Sequence, residues 1–451
     1  MGRRGMTISR RTLLAAPLAL AMAPAHAAPP RRAAVIGAGI AGLACARRLA
    51  GAGFETVVLE ARDRIGGRIL TDRRWSGRPV DLGASWIHGA SGNPVTALAR
   101  EAGARRVATS YEASVAYGPD GGVLDIDADV AGMERLIEEA RDAAGDLDAD
   151  VSLKEAIEAH PRYHRLDERG LMLLAHVVNA QYELEYAGDW SELSAWSLDE
   201  DSGFGGADVL FPDGYDVVPA FMARGLDIRL GAAVAAVSTT GKAVTVRLVD
   251  GQAVAADHVV VTVPLGVLKE GRIAFAPALP AAHREAIEKL GFGILEKCCL
   301  RFGKPFWPRD VDWIEFVSGR RGEWSEWLSL ARATGASVLV GFNGGAYGRA
   351  LGSLDDGAVV DAALKALRAM FGPDVPAPLG SIVTRWAADP FARGAYSFNA
   401  VGSDGAMRRA LAEPVDDRLF FAGEATSADY FATTHGAYLS GIAAADAILS
   451  A

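Results

Sequence analysis

A glycine-rich loop near the start of the chain constrains the fold more than any other feature. The apolar run AAVI (residues 33–36) predicts a strand, residues 39–51 predict a small-residue helix, and ETVVL (55–59) predicts a second strand. Between the first strand and the helix, the string VIGAGIAGL has the glycine spacing that nucleotide-binding βαβ units use. The sequence therefore predicts a Rossmann-type dinucleotide-binding unit.

Each glycine of this loop has its own steric role. Gly37 makes the tight turn, Gly39 lets the backbone approach a pyrophosphate, and Gly42 lets the helix pack closely on the strand. Ile40 and Ala41 begin the helix, whose N-terminus carries about half a positive charge and would face the phosphates.

A carboxylate and a second glycine pair follow the second strand. Glu60 comes directly after it, where a carboxylate accepts hydrogen bonds from both ribose hydroxyls and rejects a 2′-phosphate. The second glycine pair lies in a loop that contains Ala61, Arg62, Gly66, Gly67 and Arg68. A fold that binds NAD has no need of a second phosphate loop at this place.

The rest of the chain mixes helical and extended patterns. Residues 128–186 have helical spacing and predict a helical insertion, strand patterns occupy 226–263 and 295–345, and a strand (418–423) and a helix (436–450) end the chain. At 451 residues, the chain is too long for one ordinary core. We therefore predict an α/β protein with a Rossmann-type domain and an interleaved α+β domain.

The first residues have the pattern of an export signal. Arg10 and Arg11 precede a short apolar run (13–23) and a small-x-small cleavage pattern (25–27). We expect a twin-arginine signal over residues 1–27, hence a periplasmic or secreted protein exported folded. The apolar run is shorter than the ~20 residues that span a bilayer, so no membrane span is expected after its removal.

Charge and cysteine content exclude several classes of partner. Removing residues 1–27 takes away four arginines and no acid, so the formal net charge falls from −10 to −14. An acidic surface disfavours nucleic acid and favours cationic ligands. The three cysteines, Cys45, Cys298 and Cys299, are expected to be buried without a disulfide framework, and no metal site is expected because no Cys and His cluster has ligand spacing.

Residues 35–70, with EARDRIGGRI after the first glycine loop, resemble the flavin-containing amine oxidases, which include monoamine oxidases, polyamine oxidases and lysine-specific histone demethylases. Protoporphyrinogen oxidases, phytoene desaturases and L-amino acid oxidases share this opening, so it implies FAD without fixing the substrate. The resemblance covers most of residues 31–451. It implies an FAD-binding domain from 31–95, 212–272 and 385–451, and a substrate-binding domain from 96–211 and 273–384.

The segment DLGASWIHG (81–89) resembles the amine-oxidising branch, and its WIHG ending is most similar to polyamine oxidases. By that resemblance His88 would orient a substrate amine, although a hydrogen-bonded structural histidine fits the same pattern. The residues that would lie against the flavin are Gly83, Ala84, Ser85 and Trp86.

Two further segments would complete the surroundings of the flavin ring. Lys297, in GFGILEKCCLRFGKPFW (291–307), matches the family's lysine that holds a water against flavin N5, and burial would lower its basicity. Trp386 and Tyr396, in TRWAADPFARGAYSF (384–398), match aromatic residues beside the ring that attract a cationic amine. No cysteine is near Tyr396, so we expect noncovalent FAD.

The C-terminal segment LFFAGEATSADYFATTHGAYLSG (419–441) resembles the remaining cofactor contacts. Gly423 and Glu424 would contact the ribityl chain and pyrophosphate of FAD. Thr433, with Thr434 beside it, would contact the pyrimidine edge of the flavin. The following helix would direct its positive end at the flavin. Val234 and Thr262 match residues at or near the adenine.

An acidic stretch precedes SGFGG and is similar to one in demethylases and plant polyamine oxidases. Carboxylates suit the distal ammonium groups of polyamines, so this stretch is expected to line a substrate tunnel. Its residues are Glu183, Glu185, Asp199, Glu200 and Asp201.

The expected reaction is FAD-dependent oxidation of an amine, with polyamines such as spermidine and spermine favoured. Hydride would pass from the carbon next to nitrogen to flavin N5, and the imine would hydrolyse to an aldehyde and an amine. Dioxygen or a periplasmic electron carrier would be the acceptor. Oxidation of an alkaloid-type secondary amine, a monoamine or an L-amino acid, and a noncatalytic FAD-binding or partner-binding role, stay open, as does the oligomeric state.

Overall fold

The computed structural model describes residues 1–2 and 31–451, so nearly all of the expected export signal lies outside the described residues. Over residues 31–451 the strands are β1 (Arg32–Ile36), β2 (Glu55–Leu59), β3 (Thr71–Asp72), β4 (Val80–Asp81), β5 (Trp86–Ile87), β6 (Val107–Thr109), β7 (Ser114–Tyr117), β8 (Val123–Leu124), β9 (Asp208–Leu210), β10 (Asp227–Arg229), β11 (Val234–Ser238), β12 (Val244–Leu248), β13 (Ala253–Ala256), β14 (His258–Val261), β15 (Ala274–Ala276), β16 (Gly291–Phe292), β17 (Leu295–Arg301), β18 (Trp313–Phe316), β19 (Glu326–Ser329), β20 (Val338–Gly344), β21 (Gly380–Val383), β22 (Ser397–Phe398) and β23 (Leu419–Phe421).

The helices over the same residues are α1 (Ile40–Gly51), α2 (Pro94–Glu101), α3 (Asp127–Gly145), α4 (Leu153–Ala159), α5 (Glu168–Val178), α6 (Leu184–Tyr186), α7 (Val217–Met222), α8 (Leu265–Lys269), α9 (Ala281–Lys289), α10 (Leu330–Thr334), α11 (Gly345–Gly352), α12 (Asp356–Phe371), α13 (Gly405–Ala412) and α14 (Thr434–Ser450). Within this part of the chain, no helix combines the length and the apolar composition needed to cross a bilayer.

A five-stranded parallel sheet carries the glycine-rich loop. Its order is β10-β2-β1-β14-β23, and every neighbouring pair is parallel. All four residues of β14 are buried, as expected for a strand covered on both faces. Helices α1 and α14 pack so closely that a Cβ on Gly441 would lie 2.1 Å from the carbonyl oxygen of Ala41. The small residues of these helices therefore allow two backbones to meet.

A seven-stranded mixed sheet forms the second large layer, in the order β21-β17-β20-β19-β18-β7-β8. Only the β18–β7 pair is parallel. Cys298 and Cys299 on β17 belong to different apolar clusters, on opposite faces of the strand, and both are buried and free, as is Cys45. The expected helical insertion is confirmed as α3, α4 and α5, which share one apolar core.

The predicted α/β class, with a Rossmann-type sheet and additional sheets, is confirmed. The parallel sheet draws β1 and β2 from residues 31–95, β10 and β14 from 212–272, and β23 from 385–451. Residues 31–451 form one compact unit by their contacts, so the division into two domains stays a prediction.

Candidate active site

One cavity of about 1050 Å³ extends from the carboxyl ends of the parallel strands to the inner face of the seven-stranded sheet. Pockets for small ligands and cofactors usually measure roughly 300–1,000 Å³, so this cavity is large for a ligand site. The structure brings nearly all of the predicted site residues together around it. The predicted residues that do not line the cavity are Gly42, Glu183, Asp199 and Glu200.

The glycine-rich loop forms one end of the cavity. Gly37 has a φ of 109°, which only glycine adopts without strain. A Cβ on Gly39 would have open space in front of it, whereas a Cβ on Gly42 would lie 2.0 Å from the carbonyl oxygen of Gly37. The N-terminus of α1 has no side-chain cap and no acid in its first turn. This end of the cavity therefore offers free amides and an open backbone surface to a pyrophosphate.

Glu60 is fixed at the carboxyl end of β2. Its Oε2 accepts a hydrogen bond from the amide of Ala38 (2.7 Å), and its Oε1 accepts one from the amide of Arg62 (2.9 Å). The side chain is buried but lines the cavity. The carboxylate is thus held in one orientation, with lone pairs left for the hydroxyls of a ribose.

The second glycine loop packs on the first. Gly66 donates to the carbonyl of Ala38 (2.9 Å), and a Cβ on Gly67 would lie 3.4 Å from Cα of Gly39. Arg68, which follows, donates to Oε1 of buried Glu424 (2.9 Å) and to the carbonyl of Ala395 (2.7 Å). The loops therefore present two adjoining stretches of bare backbone.

Glu424 is the centre of a buried hydrogen-bond network. Besides Arg68, its carboxylate accepts from the Ser397 hydroxyl (2.6 Å) and the Ala432 amide (3.0 Å). Burial by itself would raise the pKa of Glu424, but Arg68, the Ser397 hydroxyl and Arg408 together hold it below its usual value. The group is therefore a fixed negative charge beside the cavity.

Lys297 projects from β17 into the middle of the cavity and is only 5% exposed. Its Nζ donates to the carbonyls of Asp81 (3.1 Å) and Gly83 (2.7 Å) and to the Ser85 hydroxyl (2.7 Å). Burial lowers the pKa of Lys297 to about 8. The ammonium form therefore predominates at pH 7, and its three protons match the three acceptors.

Aromatic side chains form one wall next to this lysine. Trp313 stacks on Trp86 (ring centroids 5.7 Å apart) and on Tyr111 (4.7 Å). Lys297 Nζ lies 5.9 Å from the ring centre of Trp86 and 5.6 Å from that of Phe342. The cavity is thus narrow and flat-sided at this point, with faces that attract cations.

Tyr396 and Trp386, the two aromatic residues predicted beside the flavin, both line the cavity. The hydroxyl of Tyr396 donates to the carbonyl of Leu184 (2.6 Å), and the indole nitrogen of Trp386 donates to the carbonyl of Leu82 (3.0 Å). Backbone carbonyls thus accept the hydrogen bonds of the hydroxyl and the indole nitrogen, so the two side chains present their ring faces and edges to the cavity.

Thr433 is the N-cap of α14. Its hydroxyl accepts from the amide of Gly436 (2.9 Å) and donates to the carbonyl of Tyr430 (2.8 Å). Thr433, Thr434 and Ala437 line the cavity, so the positive end of the helix is at its surface. The helix begins two residues earlier than the sequence pattern placed it.

His88 lies beside Trp86 and is paired with Asp208. Its Nδ1 is 2.8 Å from Oδ2 of Asp208, whose Oδ1 accepts from the amide of Gly89 (2.7 Å). Burial opposes the charged imidazolium, but Asp208 and Glu185 raise the pKa of His88 above its usual value. The structure therefore gives His88 a fixed ring orientation with Nε2 as the nitrogen left for a ligand.

The acidic stretch predicted to line a tunnel divides in two. Glu185 and Asp201 line the cavity. Glu183 instead accepts from the Asn179 side chain (2.7 Å), Asp199 pairs with Arg141 (2.7 Å), and Glu200 accepts from the Gly405 amide (2.8 Å). These three carboxylates are occupied by structural partners outside the cavity.

Among the cavity acids that were not found from the sequence, two lie on the seven-stranded sheet. Glu315 on β18 and Glu326 on β19 are paired directly across the two strands, and both line the cavity. Burial, followed by the charges of Glu315 and Glu185, raises the pKa of Glu326 well above its usual value. The available signal was one acid in each of two mainly apolar strands, WIEF and EWLS.

Comparisons with known proteins agree with this site. A family profile described as flavin containing amine oxidoreductase matches residues 40–449. The chain is 37% identical to polyamine oxidase 4 of Oryza sativa subsp. japonica, over 93% of this chain and 88% of the relative. It is 38% identical to polyamine oxidase 2 of Arabidopsis thaliana, over 91% of this chain and 86% of the relative. Lysine-specific histone demethylase 1 homolog 1 of O. sativa subsp. japonica is 36% identical, over 94% of this chain but 53% of the relative.

Proposed function

Because the chain belongs to the family of flavin-containing amine oxidoreductases, we propose that it is an FAD-dependent oxidase of linear polyamines of the spermidine and spermine kind. The glycine loops, Glu60 and the N-termini of α1 and α14 fit FAD, since they offer bare backbone, a ribose acceptor and two positive helix ends. None of the three cysteines lines the cavity, which supports noncovalent binding.

The observation that carries the substrate proposal is the negative charge of the part of the cavity beyond Lys297. This part lies between the seven-stranded sheet and the helical insertion, and a cationic ligand would be attracted into it. The carboxylates that line it in the described chain are Asp127, Glu134, Glu185, Asp201, Asp208, Glu315 and Glu326.

The arginines of the cavity argue against an amino acid substrate. Arg62, Arg68 and Arg272 line it, and each already pairs with a carboxylate, those of Asp389 (2.7 Å), Glu424 (2.9 Å) and Glu270 (3.0 Å) respectively. A substrate carboxylate would need an unoccupied guanidinium to bind with two hydrogen bonds. An amine without a carboxylate is therefore favoured.

FAD would supply the hydride acceptor for oxidation of the carbon next to the amine nitrogen, and water would hydrolyse the resulting imine to an aldehyde and an amine. The protein positions the amine and favours its uncharged form. The ammonium of Lys297 disfavours a second positive charge nearby, so it lowers the proton affinity of the nitrogen that is to react. Trp86, Trp313 and Phe342 exclude water around that nitrogen.

The test is anaerobic loss of the flavin absorbance near its visible maximum on addition of amines. We expect spermidine and spermine to bleach the protein faster than putrescine, monoamines or L-amino acids. Bleaching by an L-amino acid or a monoamine alone would support those alternative substrates. Yellow protein that no amine bleaches would contradict an oxidase and support a noncatalytic flavoprotein.

The electron acceptor is proposed to be dioxygen or an exported electron carrier. Hydrogen peroxide formed in step with amine consumption would support dioxygen. Slow reoxidation in air, with fast turnover in the presence of an artificial electron acceptor, would support a carrier.

Export by the twin-arginine route is a further part of the proposal, supported by Arg10, Arg11 and the following apolar run. This route carries folded proteins, which suits an enzyme that takes up FAD before export. Replacing both arginines by lysine should retain the protein in the cytoplasm, and cell fractionation measures this. An unchanged periplasmic or secreted fraction would contradict the route.

A further inference from the structure

A row of four side chains crosses the seven-stranded sheet inside the cavity. Lys297 on β17 is paired with Phe342 on β20, and Glu326 on β19 with Glu315 on β18. Strands β19 and β20 pair Trp327 with Gly341, which places Glu326 opposite Phe342. Residues directly opposite each other point to the same face of a sheet, and all four line the cavity.

The row has a lysine at one end and two acids at the other. Neighbouring strands lie about 4.8 Å apart, so Glu326 is about 10 Å from Lys297 across the sheet, and Glu315 about 14 Å. The apolar ring of Phe342 lies between them. A cationic side chain thus faces two carboxyl groups over an apolar floor of fixed length.

Glu326 lacks a partner of its own. Glu315 is 3.0 Å from Nε2 of buried His176, whereas the Glu326 carboxylate makes no hydrogen bond or ion pair with the part of the chain that the structure describes. Glu315 and Glu185, which line the same cavity, act on it through their charges, and both oppose its ionisation. An enclosed carboxylate in this situation is stabilised by a cation that enters the cavity.

We propose that Glu326, with Glu315 beside it, binds the distal ammonium of the polyamine and so sets the length of substrate that the cavity accepts. This inference rests on the proposed function. An extended chain advances about 1.2 Å per bond, so spermidine, with about nine bonds between its terminal nitrogens, is about 11 Å long, and putrescine about 6 Å. The row therefore suits the longer amine, with methylene groups over Phe342.

The main test compares Glu326→Gln with the wild-type holoenzyme on three substrates. These are spermidine and its two analogues that each lack one terminal nitrogen, N-butyl-1,3-diaminopropane and N-propyl-1,4-diaminobutane. We expect Glu326→Gln to raise KM for spermidine about 10- to 100-fold, as loss of a charged hydrogen bond does, with a much smaller change in kcat. KM for the analogue without the nitrogen that Glu326 binds should change less than about 2-fold.

The control is Glu288→Gln, an exposed glutamate on α9 away from the cavity, which should leave all three KM values unchanged. Flavin content and melting temperature show that each variant is folded. If Glu326→Gln does not fold, Glu326→Asp, which keeps the charge but withdraws it by one methylene, should raise KM for spermidine and spare the same analogue.

Each outcome bears on one of the two proposals. Equal KM changes for spermidine and both analogues, or a spermidine change below 2-fold, would overturn the ammonium site while polyamine oxidation stands. Wild-type protein that spermidine and spermine fail to bleach would overturn the proposed function and this inference with it.

Discussion

Lys297 Nζ and Ser85 Oγ are joined by a 2.7 Å hydrogen bond although 212 positions separate the two residues in the chain. The bond connects β17 of the seven-stranded sheet to the loop between β4 and β5, and the same Nζ also donates to the carbonyl of Asp81, at the end of β4, and to that of Gly83 in the loop. The ammonium is thus held at a fixed place in the cavity by groups from another part of the fold.

Replacing Lys297 by methionine should slow flavin reduction or reoxidation by roughly 10²-fold, because the positioned cation and its protons are lost. FAD should stay bound, since Lys297 does not belong to the glycine loops. Stopped-flow absorbance of the two half-reactions measures the change. Lys304→Met, at an exposed position, is the control. Full rates in both half-reactions would remove Lys297 from the mechanism.

Gly39→Ala and Gly42→Ala should fail in different ways. The extra methyl of Gly39→Ala points into open cavity, so this variant should fold with an unchanged melting temperature as apoprotein but bind FAD at least 10-fold more weakly. In Gly42→Ala the methyl meets the carbonyl of Gly37, so the fold itself should be destabilised. Flavin titration and thermal unfolding of both apoproteins distinguish the two cases. Normal FAD affinity in Gly39→Ala would argue against a pyrophosphate at this loop.

Glu424→Gln should lower the free energy of unfolding by roughly 3–5 kcal/mol, because it leaves Arg68 and Arg408 without their buried counter-charge. The folded-state pKa of Glu424 is lowered, so its contribution is present above the unfolded value of 4.5 and is lost as the pH falls through the folded value. Urea unfolding at several pH values should therefore show a difference from wild type that shrinks in acid. Exposed Glu413→Gln is the matched control. A difference independent of pH would indicate a packing effect instead.

Glu326→Gln should raise the free energy of unfolding at neutral pH, whereas Glu424→Gln should lower it. The folded-state pKa of Glu326 is raised by burial and by Glu315 and Glu185, with Tyr111 and Tyr396 also nearby, so its ionisation costs stability. Wild type and variant should be equally stable below about pH 4.5, and the variant should become more stable as the pH rises. Melting temperatures measured without amine test this. A variant that is less stable at every pH would show that Glu326 has a partner within the protein.

The sequence by itself determined the parts of this protein whose function depends on neighbouring residues. The glycine loop, α1, β2 and Glu60 lie within 30 residues, and steric limits on turns and close approach dictate glycine at those places. Strand and helix patterns likewise predicted β17, β20, β23 and α14, since apolar periodicity is a local property. Resemblance of short motifs then indicated Lys297, Tyr396 and Glu424, and the structure places all three on one cavity.

Only the tertiary structure decided which carboxylates face that cavity. Glu183, Asp199 and Glu200 lie close to Glu185 and Asp201 in the chain, yet they point to structural partners, because neighbouring side chains along a helical turn or a loop point in different directions. Glu315 and Glu326 lie beside each other and in line with Lys297 because antiparallel pairing sets their register. Register depends on contacts between strands that are distant in sequence, so no local pattern reveals it.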